Sequence, residues 1–162
     1  MISSNTFISI IGCYKFIIIK IFLIIKVVIV YLCKIYFSMQ EQNIINWFEI
    51  PVTDFDRAKK FYETIFDISM QTNESHGYRM AFFPSFENKI SGAICYGEGY
   101  IPSGAGSIVY FNANPDVNLV LDRAILAGGR IIVPKTLVAE GAGYYAFVVD
   151  TEGNRIALHS ER

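Results

Sequence analysis

Residues 44–70 read IINWFEIPVTDFDRAKKFYETIFDISM, and residues 105–131 read AGSIVYFNANPDVNLVLDRAILAGGRI. Placing Asp54 on Asp116, 62 residues later, aligns the two stretches as an internal repeat, and a repeat constrains the fold before any single element does. In the first copy, alternation through Trp47, Glu49 and Pro51 predicts a strand. Behind Thr53-Asp54, the residues Phe55, Ala58, Phe61, Tyr62, Ile65 and Phe66 recur at helical spacing. In the second copy, residues 108–113 form the expected strand, and Asn114-Pro115 supplies an N-cap with proline at the first helical position. Gly128-Gly129 then stops the helix.

Further out, three short β segments follow each helix. They are expected at 68–72, 78–83 and 91–96 in the first half, and at 130–133, 144–149 and 155–159 in the second. DTEGN at 150–154 is a turn, with Gly153 suited to positive φ. IPSGAGS, from Ile101, joins the halves. The pattern is βαβββ twice, an α+β domain with modules at about 43–100 and 105–160.

The chain of 162 residues is long enough for one domain and too short for two ordinary ones. With 52% hydrophobic and 18% charged residues and a net charge of -1, disorder and a broadly basic nucleic-acid surface are both excluded. No nucleic acid is expected as a partner. Cys13, Cys33 and Cys95 form no CxxC or Cys/His metal spacing, and their odd number favours a reducing compartment.

Composition breaks sharply near residue 39. Residues 1–38 hold twelve isoleucines and four lysines but no acidic residue, so residues 39–162 carry a net charge of -5. The run 16–33, FIIIKIFLIIKVVIVYLC, has the length of a membrane span. However, Lys20 and Lys26 near its middle each oppose insertion by roughly 2.5–3.5 kcal/mol. Two readings stand: a start set too early, with Met39 opening the globular part in the cytoplasm, or a membrane anchor. A membrane is a partner only under the second.

WFEIPVTDFDRAKKFYETIFD from Trp47 and GYYAFVVDTEGNRIALHS from Gly143 resemble the opening and closing motifs of the vicinal oxygen chelate superfamily. That superfamily includes glyoxalase I, bleomycin-resistance proteins, fosfomycin-resistance enzymes and extradiol dioxygenases. The resemblance spans residues 43–160 and implies two modules whose mixed sheet curves around a central cup, commonly in a homodimer. It also implies where a metal would bind: on the first strand of each module, seven residues before the capping Asp, and on the last strand. Those positions hold Trp47, Val109 and Ala157, and a fourth falls at Ala93 or Cys95. This set cannot ligate a divalent cation, so no metal and no cofactor is expected.

The cup is expected to bind a small carbonyl-bearing or aromatic molecule. Trp47, Phe111 and Phe147 have inward parity for stacking on a planar ligand, and Cys95 is a candidate lining thiol. The alternative is an enzyme, a lyase or isomerase related to lactoylglutathione lyase, with Glu49 and His159 as an acid/base pair. Glu49 lies two residues after Trp47 and His159 two after Ala157, so alternation turns both inward. The bland readings are that Glu49 pairs with a backbone group or Arg155, that His159 closes the cup by a hydrogen bond, and that the aromatics are core.

Overall fold

A computed structural model describes residues 21–33, 44–85 and 90–162. The chain divides into two compact units, Met1–Ile44 and Ile45–Arg162. In the first, residues 21–33 are helical (α1). Residues 16–20 of the apolar run lie outside the described residues, as do Cys13, Lys34 and Met39. Among the described residues, no helix is long and apolar enough to cross a membrane.

The second unit runs β1 (Trp47–Pro51), α2 (Phe55–Phe66), β2 (Gln71–Ser75), β3 (Tyr78–Phe82), β4 (Ser91–Tyr96), β5 (Tyr110–Asn112), α3 (Val117–Leu126), β6 (Arg130–Ala139), β7 (Gly143–Val149) and β8 (Arg155–Ser160). The strands form two four-stranded mixed sheets, ordered β1-β4-β3-β2 and β5-β8-β7-β6. β1 runs parallel to β4, β5 parallel to β8, and the remaining neighbours are antiparallel. This is βαβββ twice, and the α+β class is as the repeat implies.

α2 begins where the Asp54 side chain accepts from Arg57 N at 3.1 Å, and it ends at Asp67, in the left-handed region at φ 54°. Phe55, Ala58, Phe61, Tyr62 and Ile65 form its buried stripe. α3 is capped by Asp116, which accepts from Asn118 N at 2.9 Å, and not by Asn114 as the sequence implies. Gly128, at φ 92°, closes the last turn. Both helices cover one face of the sheets. A single core joins them through Phe61, Tyr62, Ile65, Val117, Leu121, Ile156 and Leu158.

Two strands differ from expectation. β2 lies at Gln71–Ser75, not 68–72. Met70 N first donates to Glu63 Oε1 at 2.8 Å as the chain returns from the helix, and the strand proper, QTNES, is an exposed edge without apolar alternation. β6 extends from Arg130 to Ala139, well past Val133, and is carried through by register shifts against β7.

Candidate functional site

Alternation and register assign the faces. On β1, Phe48 and Ile50 turn toward the helices, while Trp47 and Glu49 lie on the helix-free face. The ladder aligns Glu49 with Ala93 and Pro51 with Cys95, and then Cys95 with Met80 and Ala93 with Phe82. In the second module, Tyr110 aligns with Ala157, Asn112 with His159, Phe147 with Ala157, and Tyr145 with His159. The helix-free face of the two sheets is therefore built from these residues and Arg155.

Trp47 is 43% exposed, with its ring 6.0 Å from that of Phe82. Its Nε1 donates to Glu49 Oε1 at 3.1 Å, and Tyr100, in the loop after β4, donates its hydroxyl to Glu49 Oε2 at 2.6 Å. The carboxylate thus ties the indole and the phenol together. The bond to Glu49, reinforced by burial, raises the Tyr100 hydroxyl above its ordinary pKa. Cys95 is fully buried, and burial together with the Glu49 charge pushes its thiol up to about 12. It is a protonated packing group at neutral pH.

A cavity of about 250 Å³ separates β1 from β8 and the linker, and Glu49, Ser103, Ser107, Asn154 and Arg155 are among its lining residues. Arg155 stacks over Phe147, with Cζ 6.0 Å from the ring centroid, and Phe147 packs against Tyr110 at 6.2 Å and Tyr145 at 5.3 Å. His159 lies elsewhere. It borders a cavity with Tyr110, Asn112 and Glu161, and another with Leu137, Ala142 and Tyr144. Its Nε2 sits 2.8 Å from the Ala142 carbonyl. Glu49 and His159 thus border different cavities among the described residues, and no hydrogen bond joins them.

Phe111 requires a correction. It does not face inward; it packs against Phe48, Phe66 and Phe83 at 5.7, 4.9 and 5.2 Å, on the helix side. Val52 N bonds Cys95 O as Ala113 N bonds His159 O, so the two strands correspond at an offset of 61 residues, not 62. The second module carries one more residue between strand and N-cap, and a one-residue slip reverses every side chain. By the same slip Ile108, not Val109, corresponds to Trp47, and Tyr110 to Glu49.

The metal positions implied by the resemblance therefore carry Trp47, Ile108, Ala157 and either Ala93 or Cys95. Among the described residues, no group of three or more His, Cys, Asp or Glu is placed to hold a metal ion. These side chains do not fit the divalent centre of the metal-binding relatives.

Two site residues were not assigned a binding role from sequence, Arg155 being expected only as a pairing partner for Glu49. Arg155 was visible in principle, because it stands two residues before Ala157 on the same strand. Tyr100 was not, because it belongs to a loop without periodicity and reaches Glu49 only through the fold.

The model of the Glyoxalase/Bleomycin resistance protein/Dioxygenase superfamily matches residues 44–158. The chain belongs to this family. The protein CFP32 of Mycobacterium bovis, whose name assigns it provisionally to the glyoxylases, is 29% identical over 126 residues, covering 75% of this chain and 47% of its own. The chain thus spans about half the length of that curated relative. Among solved structures, TnmS3, an antibiotic binding protein from Streptomyces sp. CB03234, aligns at a TM-score of 0.58 and 21% identity, over 74% of this chain and 97% of its own. Glyoxalase I from Zea mays aligns at a TM-score of 0.58 and 23% identity, over 72% and 44%. These structural likenesses establish the fold.

Proposed function

We propose that this chain is a small-molecule-binding member of the superfamily whose cup works without a metal and receives a planar, partly aromatic or carbonyl-bearing ligand. The supporting observation is Trp47, a large aromatic side chain left 43% exposed on the helix-free face with its indole held by Glu49. An indole oriented in this way offers a π face at little further entropic cost. Phe147 and Tyr110 supply aromatic surface on the other module. The likeness to an antibiotic-binding fold is consistent with sequestration but does not establish it. An acid–base reaction shared by Glu49 and His159 lacks support, since the two groups border separate cavities. The homodimer belongs to the same reading through family resemblance alone, and equilibrium sedimentation tests it.

Trp47 is the sole tryptophan, so intrinsic emission reports on this position directly. Titration with planar aromatic carbonyl compounds is expected to quench or shift that emission, and Trp47→Leu to weaken binding about tenfold or more, measured by calorimetry. Emission that stays flat across the panel would assign Trp47 to packing and remove the proposal. Stoichiometric divalent metal surviving dialysis would overturn its metal-free part.

A further inference from the structure

We infer that Arg155 makes the cavity between the modules a site for a monoanion, and that the ligand of the cup is a small aromatic carboxylate. This rests on the binding role proposed above and specifies its ligand class.

Arg155 opens β8, on the same face as Ala157. Among the described residues it has no ion-pair partner, and its Nε is buried without a hydrogen bond. A buried donor left unpaired is destabilising, the more so when it is charged, so such a group calls for a partner.

The cavity wall does not supply one. Glu49 is the carboxylate bordering the same space, but it makes no ion pair with Arg155, and its oxygens accept from Trp47 Nε1 and the Tyr100 hydroxyl. The Asn154 side chain is also engaged. Its Nδ2 donates to Pro51 O and Asp150 Oδ2, both at 2.9 Å, and its Oδ1 accepts from Ser103 N at 3.0 Å. Ser103 Oγ is occupied by Ala105, donating to its carbonyl and accepting from its N–H.

A planar guanidinium fork matches a carboxylate in shape and charge. The neighbouring Glu49 charge repels a second negative charge, which selects a monoanion over a dianion such as phosphate. The ring requirement comes from Phe147. Phe147 does not line the cavity itself, but Arg155 Cζ lies 6.0 Å from its ring centroid and Tyr110, 56% exposed, packs against Phe147, so the guanidinium joins the cavity to a neighbouring aromatic surface that the ring of a bound acid can reach. At about 250 Å³ the cavity lies just below the range that holds drug-sized ligands, which restricts the occupant to a small acid.

The test is calorimetry on the full chain with benzoate, 2-naphthoate, their amides and inorganic phosphate, with Trp47 emission followed in parallel. The acids are expected to bind at least tenfold tighter than the amides and than phosphate. Arg155→Gln is expected to abolish that preference by lowering acid affinity at least tenfold, and Arg155→Lys to restore part of it. Equal affinity for acid and amide, or a preference that survives Arg155→Gln, overturns the anion site and leaves the aromatic cup standing. Phosphate binding as tight as the acids overturns the aromatic carboxylate. If none of the probes binds and Trp47 emission stays flat, both readings fall. Should Arg155→Gln not fold, the acid-to-amide ratio in the unaltered chain and in Arg155→Lys still decides.

Discussion

At the scale of single residues, the helix-free face is organised by a few oxygen atoms. Glu49 accepts from both Trp47 and Tyr100, so Tyr100→Phe is expected to loosen the carboxylate without unfolding the chain. Its signature is a change in Trp47 emission and ligand affinity with a shift of less than about 1 kcal/mol in stability. Gly92 is constrained in the opposite sense. It lies opposite Phe48 in the ladder, and a Cβ there would sit 2.4 Å from the Phe48 carbonyl oxygen and 2.6 Å from its ring. The backbone oxygen has little room to yield, so Gly92→Ala is expected to lower stability by about 1–3 kcal/mol in denaturant titration. The sequence revealed the shared face of Trp47 and Glu49, because strict alternation is a local signal. It hid Tyr100, whose contact is made across 51 residues of chain.

At the scale of elements, the capping signals in the sequence were nearly right, and their one error mattered. Asp116, two residues beyond Asn114, caps α3 and pairs with Lys135 Nζ at 2.9 Å. Asp116→Ala removes both the cap and the ion pair and is expected to lower the melting temperature, measured by thermal melting. The added residue before that cap shifts the strand by one position, which no periodicity in three residues of β5 can register. For α2 the entry is secured from afar. Glu152, with its side chain fully buried, accepts from Thr53 N, Thr53 Oγ1 and Asp54 N through one oxygen and from Arg57 Nε through the other. Burial pushes its pKa up, but these hydrogen bonds outweigh it and hold the group at about 2, below the ordinary 4.5. The folded state therefore binds fewer protons than the unfolded one in that interval. The stabilisation is complete above pH 4.5 and is lost as pH falls toward 2. Glu152→Gln is expected to remove about 1–3 kcal/mol at neutral pH and to flatten the acid limb, followed by urea midpoints across that range.

At the scale of the whole 45–162 unit, the DTEGN turn is the joint between modules as well as a hairpin turn. Asp150 accepts from the buried Tyr62 hydroxyl at 2.7 Å, from Glu152 N and Asn154 N, and from Asn154 Nδ2, while Asn154 also reaches Pro51 O. Tyr62→Phe is expected to cost about 1–3 kcal/mol. A double-mutant cycle with Asp150→Asn should return a coupling above about 0.5 kcal/mol, whereas additivity would mean that the Tyr62–Asp150 bond adds nothing to the joint. Family and module order were legible because they rest on repeated local patterns. The joint was not, because DTEGN signals a turn and gives no indication of what its side chains reach. That joint also bears on how the chain folds during synthesis. Thr53 and Asp54 find their shared acceptor 99 and 98 positions downstream, so a ribosome has to add nearly the whole second module before the first helix is sealed at its start. Contacts this distant in sequence slow folding and prolong the exposure of half-finished surfaces. The first module therefore waits, incompletely closed, for the second to emerge.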